Sequence, residues 1–344
     1  MGIMNIQLYL YFALLVVFQR ATCYDDRDLR LSYYNATLSN QLSLTNASNP
    51  YNLLLPFNTT RVVGSEESRS IQNFIIEHFG NLTNNWELER DSFTENGYNF
   101  TNLIFTLNEN HNDRYVVYAA HYDTIMKLTG FTGAADSAAS CAILLYLAQF
   151  IDFIYEEDLT NLEHQLFDKG YGIKIIFFDG EEAFEEWTDD DSIYGARHLA
   201  SKWESDSISQ IELLVLLDLI GSEQNLTMKS YFKETHREYE LLSKIEDEYL
   251  DEKVYRSLTS YRNGGISSNK ELDPSYRIYE IINKSLIGDD HVPFYERGVP
   301  ILHLIPYPFP KTWHTISDDF EHLDQDEIYK WAIMLCEFAL KVVQ

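Results

Sequence analysis

The chain has 344 residues, a formal charge of −28, 45% hydrophobic and 23% charged residues. That length is enough to bury a large core, and the composition is that of an ordinary globular protein. An acidic balance this strong excludes nucleic acid as a partner, because phosphates would be repelled.

Residues 8–18 form a short apolar core, followed by the small residues Ala21-Thr22-Cys23. This pattern predicts a signal peptide over residues 1–23, with an uncleaved anchor as the alternative since the first residues lack Lys and Arg. Asn-x-Ser/Thr sites begin at Asn35, Asn46, Asn58, Asn81, Asn99, Asn225 and Asn283 and point to a secretory or secreted glycoprotein. With three cysteines, Cys23, Cys141 and Cys336, there is no disulfide framework. Cys141 and Cys336 sit in apolar helical runs and read as buried thiols.

Residues 24–60 are polar and Asn-rich and read as an irregular N-terminal arm; the remainder, 61–344, reads as one catalytic domain. Ser65 is placed to cap a helix running to residue 79, with Ile71, Phe74, Ile75 and Phe79 on one face. Strands are predicted near 101–107 and 115–120, either side of the polar turn Asn108–Asp113. A helix over about 137–152 is apolar nearly all round and should be deeply packed. After a polar connection (155–171), Ile175 to Phe178 reads as a buried strand that ends abruptly in Asp179-Gly180-Glu181-Glu182. A helix follows near 192–204. Residues 213–217 form another buried strand, ending in Asp218. A helix over 234–250, a Ser/Asn/Gly-rich loop over 257–276, a strand over 299–305 and a C-terminal helix capped by Asp324 complete the chain. Buried strands between helices predict a single α/β domain with a central, mostly parallel twisted sheet.

Polar residues collect at the predicted strand ends: His121 and Asp123, Asp136-Ser137, Glu181-Glu182, Asp218, Asp289-Asp290-His291 and His314. Any one of these alone is an ordinary cap or a hydrogen-bonded structural residue. Six such sites at the edges of one sheet suit zinc, which takes three protein ligands in a catalytic centre and leaves a fourth position for substrate.

In this order the motifs resemble the zinc aminopeptidase superfamily. Within it, Phe177 to Phe184 with Trp187, Leu213 to Gly221, and Asp289 to Thr315 are similar to the animal glutaminyl-peptide cyclotransferases. The resemblance runs from about residue 60 to the C-terminus. It implies one zinc ion per chain, held by Asp136, Glu182 and His314. Glu181 would be the acid/base, supported by Asp218 and Asp289 in a proton network. Trp187, Ile287, Phe309 and Trp313 would wall the substrate pocket, with His303 nearby. His121 and Asp218 would be held in hydrogen bonds instead of binding a second ion. The implied substrates are peptides and proteins with N-terminal Gln or, more slowly, Glu. The implied products are a pyroglutamyl peptide and ammonia. The chain is expected to be a monomer with no stable membrane span after signal cleavage.

Two positions depart from the family pattern. Ala120 stands where secreted relatives carry a Cys bridged to the position of Cys141. Gly288 stands where some relatives carry Gln. The rival readings are a two-zinc aminopeptidase, using His121 and Asp218 as further ligands, and a non-enzymatic binding protein on the same fold.

Overall fold

The structure, a computed structural model, describes residues 26–84, 86–107, 113–156, 171–203, 207–222, 228–249 and 287–342. The signal segment, Cys23, the turn at 108–112, most of the 155–171 connection, Asn225, Asn283 and the 257–276 loop lie outside the described residues.

Six strands form one sheet: β1 (Glu87–Glu95), β2 (Tyr98–Leu107), β3 (Arg114–His121), β4 (Tyr171–Phe178), β5 (Ile211–Leu217) and β6 (Ile301–Leu304), in the order β1-β2-β4-β3-β5-β6. β4, β3, β5 and β6 are mutually parallel, whereas β2 pairs antiparallel with both β1 and β4. The sheet is therefore mixed, with the parallel half that the apolar runs predict and an antiparallel hairpin added at one edge. β1 has no apolar run, since its residues are mostly half-buried or exposed. Asn96 and Gly97, at φ 51° and 82°, make the two-residue turn that closes the hairpin. β2 and β3 are consecutive in the chain but not neighbours, because β4 lies between them.

Parallel strands covered on both faces need apolar side chains in both directions. In β3, Val116, Tyr118 and Ala120 face one core, and Tyr115, Val117 and Ala119 face the other. The larger core holds α2 (Glu66–Gly80), α3 (Ala139–Glu156), α5 (His236–Tyr249) and α7 (Gln325–Lys341). The smaller one holds α4 (Tyr194–Trp203) and the short α6 (Val292–Tyr295). The stretch Ala134–Tyr155, α3 with the turn before it, is long and apolar enough to cross a membrane, but 89% of its most apolar window is buried inside the protein.

Helix caps form where expected. The Ser65 hydroxyl accepts from the Ser68 amide (2.9 Å), and the Asp324 carboxylate accepts from the amides of Asp326 (2.9 Å) and Glu327 (3.2 Å). Cys141 and Cys336 are buried free thiols on α3 and α7.

The segment read as an irregular arm is instead built into the core. It forms α1 (Asp26–Gln41), whose Tyr34 and Leu38 are buried, as is Leu42 just beyond its end. Arg30 and the Tyr34 hydroxyl fasten it to the buried Glu337 of α7, at 2.8 Å and 3.0 Å.

Candidate functional site

Because β3, β4 and β5 run parallel, their carboxyl ends deliver His121, Glu181-Glu182 and Asp218 to one edge of the sheet. Gly180 makes the exit from β4 in a left-handed conformation (φ 72°), where a side chain would also collide with the Phe100 ring. Asp123 holds the two glutamates in place: its Oδ1 and Oδ2 accept the main-chain amides of Glu181 (3.0 Å) and Glu182 (3.2 Å). His121 lies between carboxylates, with Nδ1 3.3 Å from Asp123 and Nε2 3.0 Å from Asp136. Burial opposes a charge on His121, but hydrogen bonds to Asp123, Asp136 and Asp218 outweigh it and raise the imidazole well above its ordinary value.

Asp136 comes from the turn before α3, and His314 from the loop after β6. The His314 Nε2 lies 3.5 Å from Asp136 Oδ2 and 3.5 Å from Glu182 Oε2. These three residues can each turn a ligand atom to a common point, all within 4.8 Å of one another. Among the described residues, Asp136 Oδ2 and Glu182 Oε1 are buried without a hydrogen-bond partner. Orphaned carboxylate oxygens are costly without a cation. Four ligands around zinc at about 2.0 Å stand about 3.3 Å apart, so the spacing fits that ion.

Around this point the acids are packed closely. Glu181 is buried, and its carboxyl is raised well above the usual range, first by burial; Glu182, Asp289 and Asp290 add to this, against His121. Asp290 is buried with neither carboxylate oxygen hydrogen-bonded among the described residues, and burial raises it likewise. Asp218 lies below the usual range: burial would raise it, but is outweighed by His121 and by the Ser137 hydroxyl that donates to it. Its Oδ1 also accepts the Leu219 amide at 2.8 Å.

The aromatic residues expected to wall the pocket make two separate sets of contacts. Phe309 meets Trp313 edge-on with ring centroids 4.8 Å apart, and Trp313 stacks on His314 at 4.0 Å. Trp187 lies against the main chain of Gly288, beside Ile287; a Cβ at 288 would stand 2.8 Å from its Nε1. Trp187 and Trp313 are 41% and 38% exposed, rare for large aromatics in this molecule. His303 differs from the reading that sets it by the pocket. Its side chain is fully enclosed on β6, and its Nε2 lies 2.6 Å from Asp289 Oδ2, so it reaches the site through Asp289. The holding role of Asp123 was visible only as a motif letter, and Arg61 and Asp318, which grip the Asp136 turn, left no signal in the sequence.

A mixed α/β sheet with Asp, Glu and His gathered at the carboxyl ends of its parallel strands defines the zinc-exopeptidase class of fold, and the donor set calls for a metal ion. The chain belongs to peptidase family M28, which matches residues 102–339. It is 51% identical to an uncharacterized protein of Saccharomyces cerevisiae, over 84% of this chain and 83% of that one. It is 38% identical to a glutaminyl-peptide cyclotransferase of Drosophila melanogaster, over 90% of this chain and 83% of that one. Among solved structures, a glutaminyl cyclase of Macrostomum lignano superposes with a TM-score of 0.63 at 30% identity, covering 89% of this chain and 90% of that one. A Zn-dependent exopeptidase of Parabacteroides distasonis shares the fold, with a TM-score of 0.58 at 18% identity over 90% of this chain and 98% of that one.

Proposed function

We propose that the protein is a zinc-dependent glutaminyl-peptide cyclotransferase, an acyltransferase. It would convert N-terminal glutamine of peptides and proteins, and glutamate more slowly, to pyroglutamate with release of ammonia. The likeness to cyclotransferases over nine-tenths of the chain carries this reading. The aromatic residues and the acids behind Glu181 supply the chemistry.

Asp136, Glu182 and His314 would hold one zinc ion, which when bound polarises the carbonyl of the substrate's side-chain amide. Glu181 takes the proton from the α-amine, whose ordinary pKa is about 7.7–8.0, and gives one to the departing nitrogen. Its raised carboxyl suits a group that must hold a proton between the two steps. Asp289 and Asp218 flank that transfer. Trp187, Ile287, Phe309 and Trp313 fold the glutamine into the ring-closing conformer and keep out water, which would only deamidate it. One ion is favoured over two because His121 and Asp218 are already engaged, with Asp123, Asp136, Ser137 and the Leu219 amide. The enzyme is read as a secreted monomer; exposed Asn35, Asn58, Asn81 and Asn99 support the secretory route.

The test is product analysis on a dipeptide that begins with Gln, with zinc supplied. Ammonia and an intact pyroglutamyl peptide are expected. Free glutamine as the main product would assign the protein to the two-zinc aminopeptidases instead.

A further inference from the structure

The turn that carries Asp136 lies between a buried guanidinium and a buried carboxyl group. On one side is Arg61, a guanidinium with no exposed surface. Its Nη1 donates to the carbonyls of Phe57 (2.8 Å), Thr59 (3.0 Å) and Thr132 (2.6 Å), its Nη2 to Gly133 (3.2 Å) and its Nε to Tyr122 (2.7 Å). Among the described residues, all its side-chain hydrogen bonds end on main-chain carbonyls. On the other side is Asp318, also buried. Its Oδ1 accepts the Ala135 amide (2.9 Å) and its Oδ2 the Asp136 amide (3.2 Å). The Asp318 carbonyl accepts the Ala134 amide (3.1 Å) and the Thr132 hydroxyl (3.3 Å).

Carbonyls 132 and 133 therefore point at the cation, and amides 134 to 136 point at Asp318. A turn gripped this way cannot rotate about its own axis without stranding buried hydrogen-bonding groups, which is costly. The same two residues reach the rest of the centre. Arg61 holds the carbonyl of Tyr122, between His121 and Asp123. Asp318 lies four residues after His314, on the same loop. Core packing alone would be served by neutral donors and acceptors. Burial lowers the pKa of the Arg61 guanidinium, and Cys141, Asp123, Asp318 and Asp136 act against that.

We propose that Arg61 and Asp318 are positioning residues that grip the Asp136 turn from opposite sides and set how tightly the metal is kept. This rests on the reading of Asp136 as a zinc ligand.

The experiment follows zinc release from the loaded enzyme into excess chromogenic chelator, for the parent, Arg61→Lys, Asp318→Asn and Asp136→Asn. Near-UV circular dichroism of the same samples reports folding. Partners that orient metal ligands commonly carry about 10–100-fold in metal affinity. Release faster by about that factor is expected from Asp318→Asn and Arg61→Lys, with a parent-like dichroism spectrum. Release at the parent rate from folded variants overturns the proposal. So does failure of both variants to fold, which would make the pair a folding element; if only one folds, its rate decides. If the parent holds no zinc, or Asp136→Asn holds it as firmly as the parent, the ligand reading itself fails and takes the grip with it. That result is distinct from one in which Asp136→Asn loses zinc and the two positioning variants do not.

Discussion

His303 Nε2 lies 2.6 Å from Asp289 Oδ2, and both side chains are buried. Burial raises the Asp289 carboxyl, and His303 opposes the rise through its charge and its hydrogen bond. Removing the imidazole should leave Asp289 higher still. If Asp289 works as a carboxylate, the acidic limb of the rate profile then moves to higher pH. His303→Asn is expected to lower kcat about 10–100-fold, the range for losing a hydrogen bond to a charged group, with little change in KM. A pH–rate profile of the variant that overlays the parent's would refute the assignment.

Glu181 and Glu182 are adjacent yet differently engaged. Glu182 lies 3.5 Å from His314 and has an oxygen with no hydrogen bond among the described residues, whereas the Glu181 carboxyl is raised first by burial and further by Glu182, Asp289 and Asp290. Glu181→Gln is expected to keep its zinc and its fold and to lose about 10²–10⁴ in kcat. Glu182→Gln should lose metal and activity together. The measurement is zinc content beside kcat for both purified variants, and a zinc-free Glu181→Gln would reverse the roles.

At Gly288 the contact is steric. A methyl group there would meet the Trp187 indole at 2.8 Å from Nε1 and 3.3 Å from two ring carbons, so the ring must move. Gly288→Ala is expected to raise KM for a Gln-dipeptide about 2–12-fold, the loss of one aromatic contact, and to change kcat less. Altered tryptophan fluorescence should accompany it. An unchanged KM with a shifted spectrum would remove Trp187 from the pocket.

Asp179 gives a pH signature away from the metal. It is fully buried at the end of β4, where its carboxylate accepts the Thr101 amide (2.8 Å), and burial pushes its pKa up to about 8. The unfolded chain releases this proton near pH 4, so between about 4 and 8 the native state holds one proton more. Stability from this group is present at low pH and falls as pH rises, by about 1.4 kcal/mol per unit. Asp179→Asn, with no proton to lose, should flatten that slope in denaturant titrations across this window. A parent and variant with parallel stability curves would show that Asp179 ionises freely in the fold.

Much of the centre could be read from the chain because a parallel strand covered on both faces must be a continuous apolar run, and its end is then conspicuous. Phe178 gives way to Asp179, and Leu217 to Asp218, in one step. β1 was not legible for the converse reason: a half-exposed edge strand carries no such run, and only Asn96-Gly97 marked its hairpin. In α1, the buried Tyr34 and Leu38 were masked by the polar residues around them.

By itself the sequence determined the parallel half of the sheet and the caps of α2 and α7, since these depend on local pattern and side-chain chemistry; the candidate metal ligands came from the family resemblance. Only the tertiary structure decided which groups meet. Nothing near position 303 indicates that its imidazole turns inward to Asp289, and nothing near 61 or 318 indicates that they face one turn from opposite sides. Such contacts join residues 14 and more than 70 positions apart. They are set by how the helices and loops close over the sheet edge, where each buried charge or hydrogen-bonding group must find a partner.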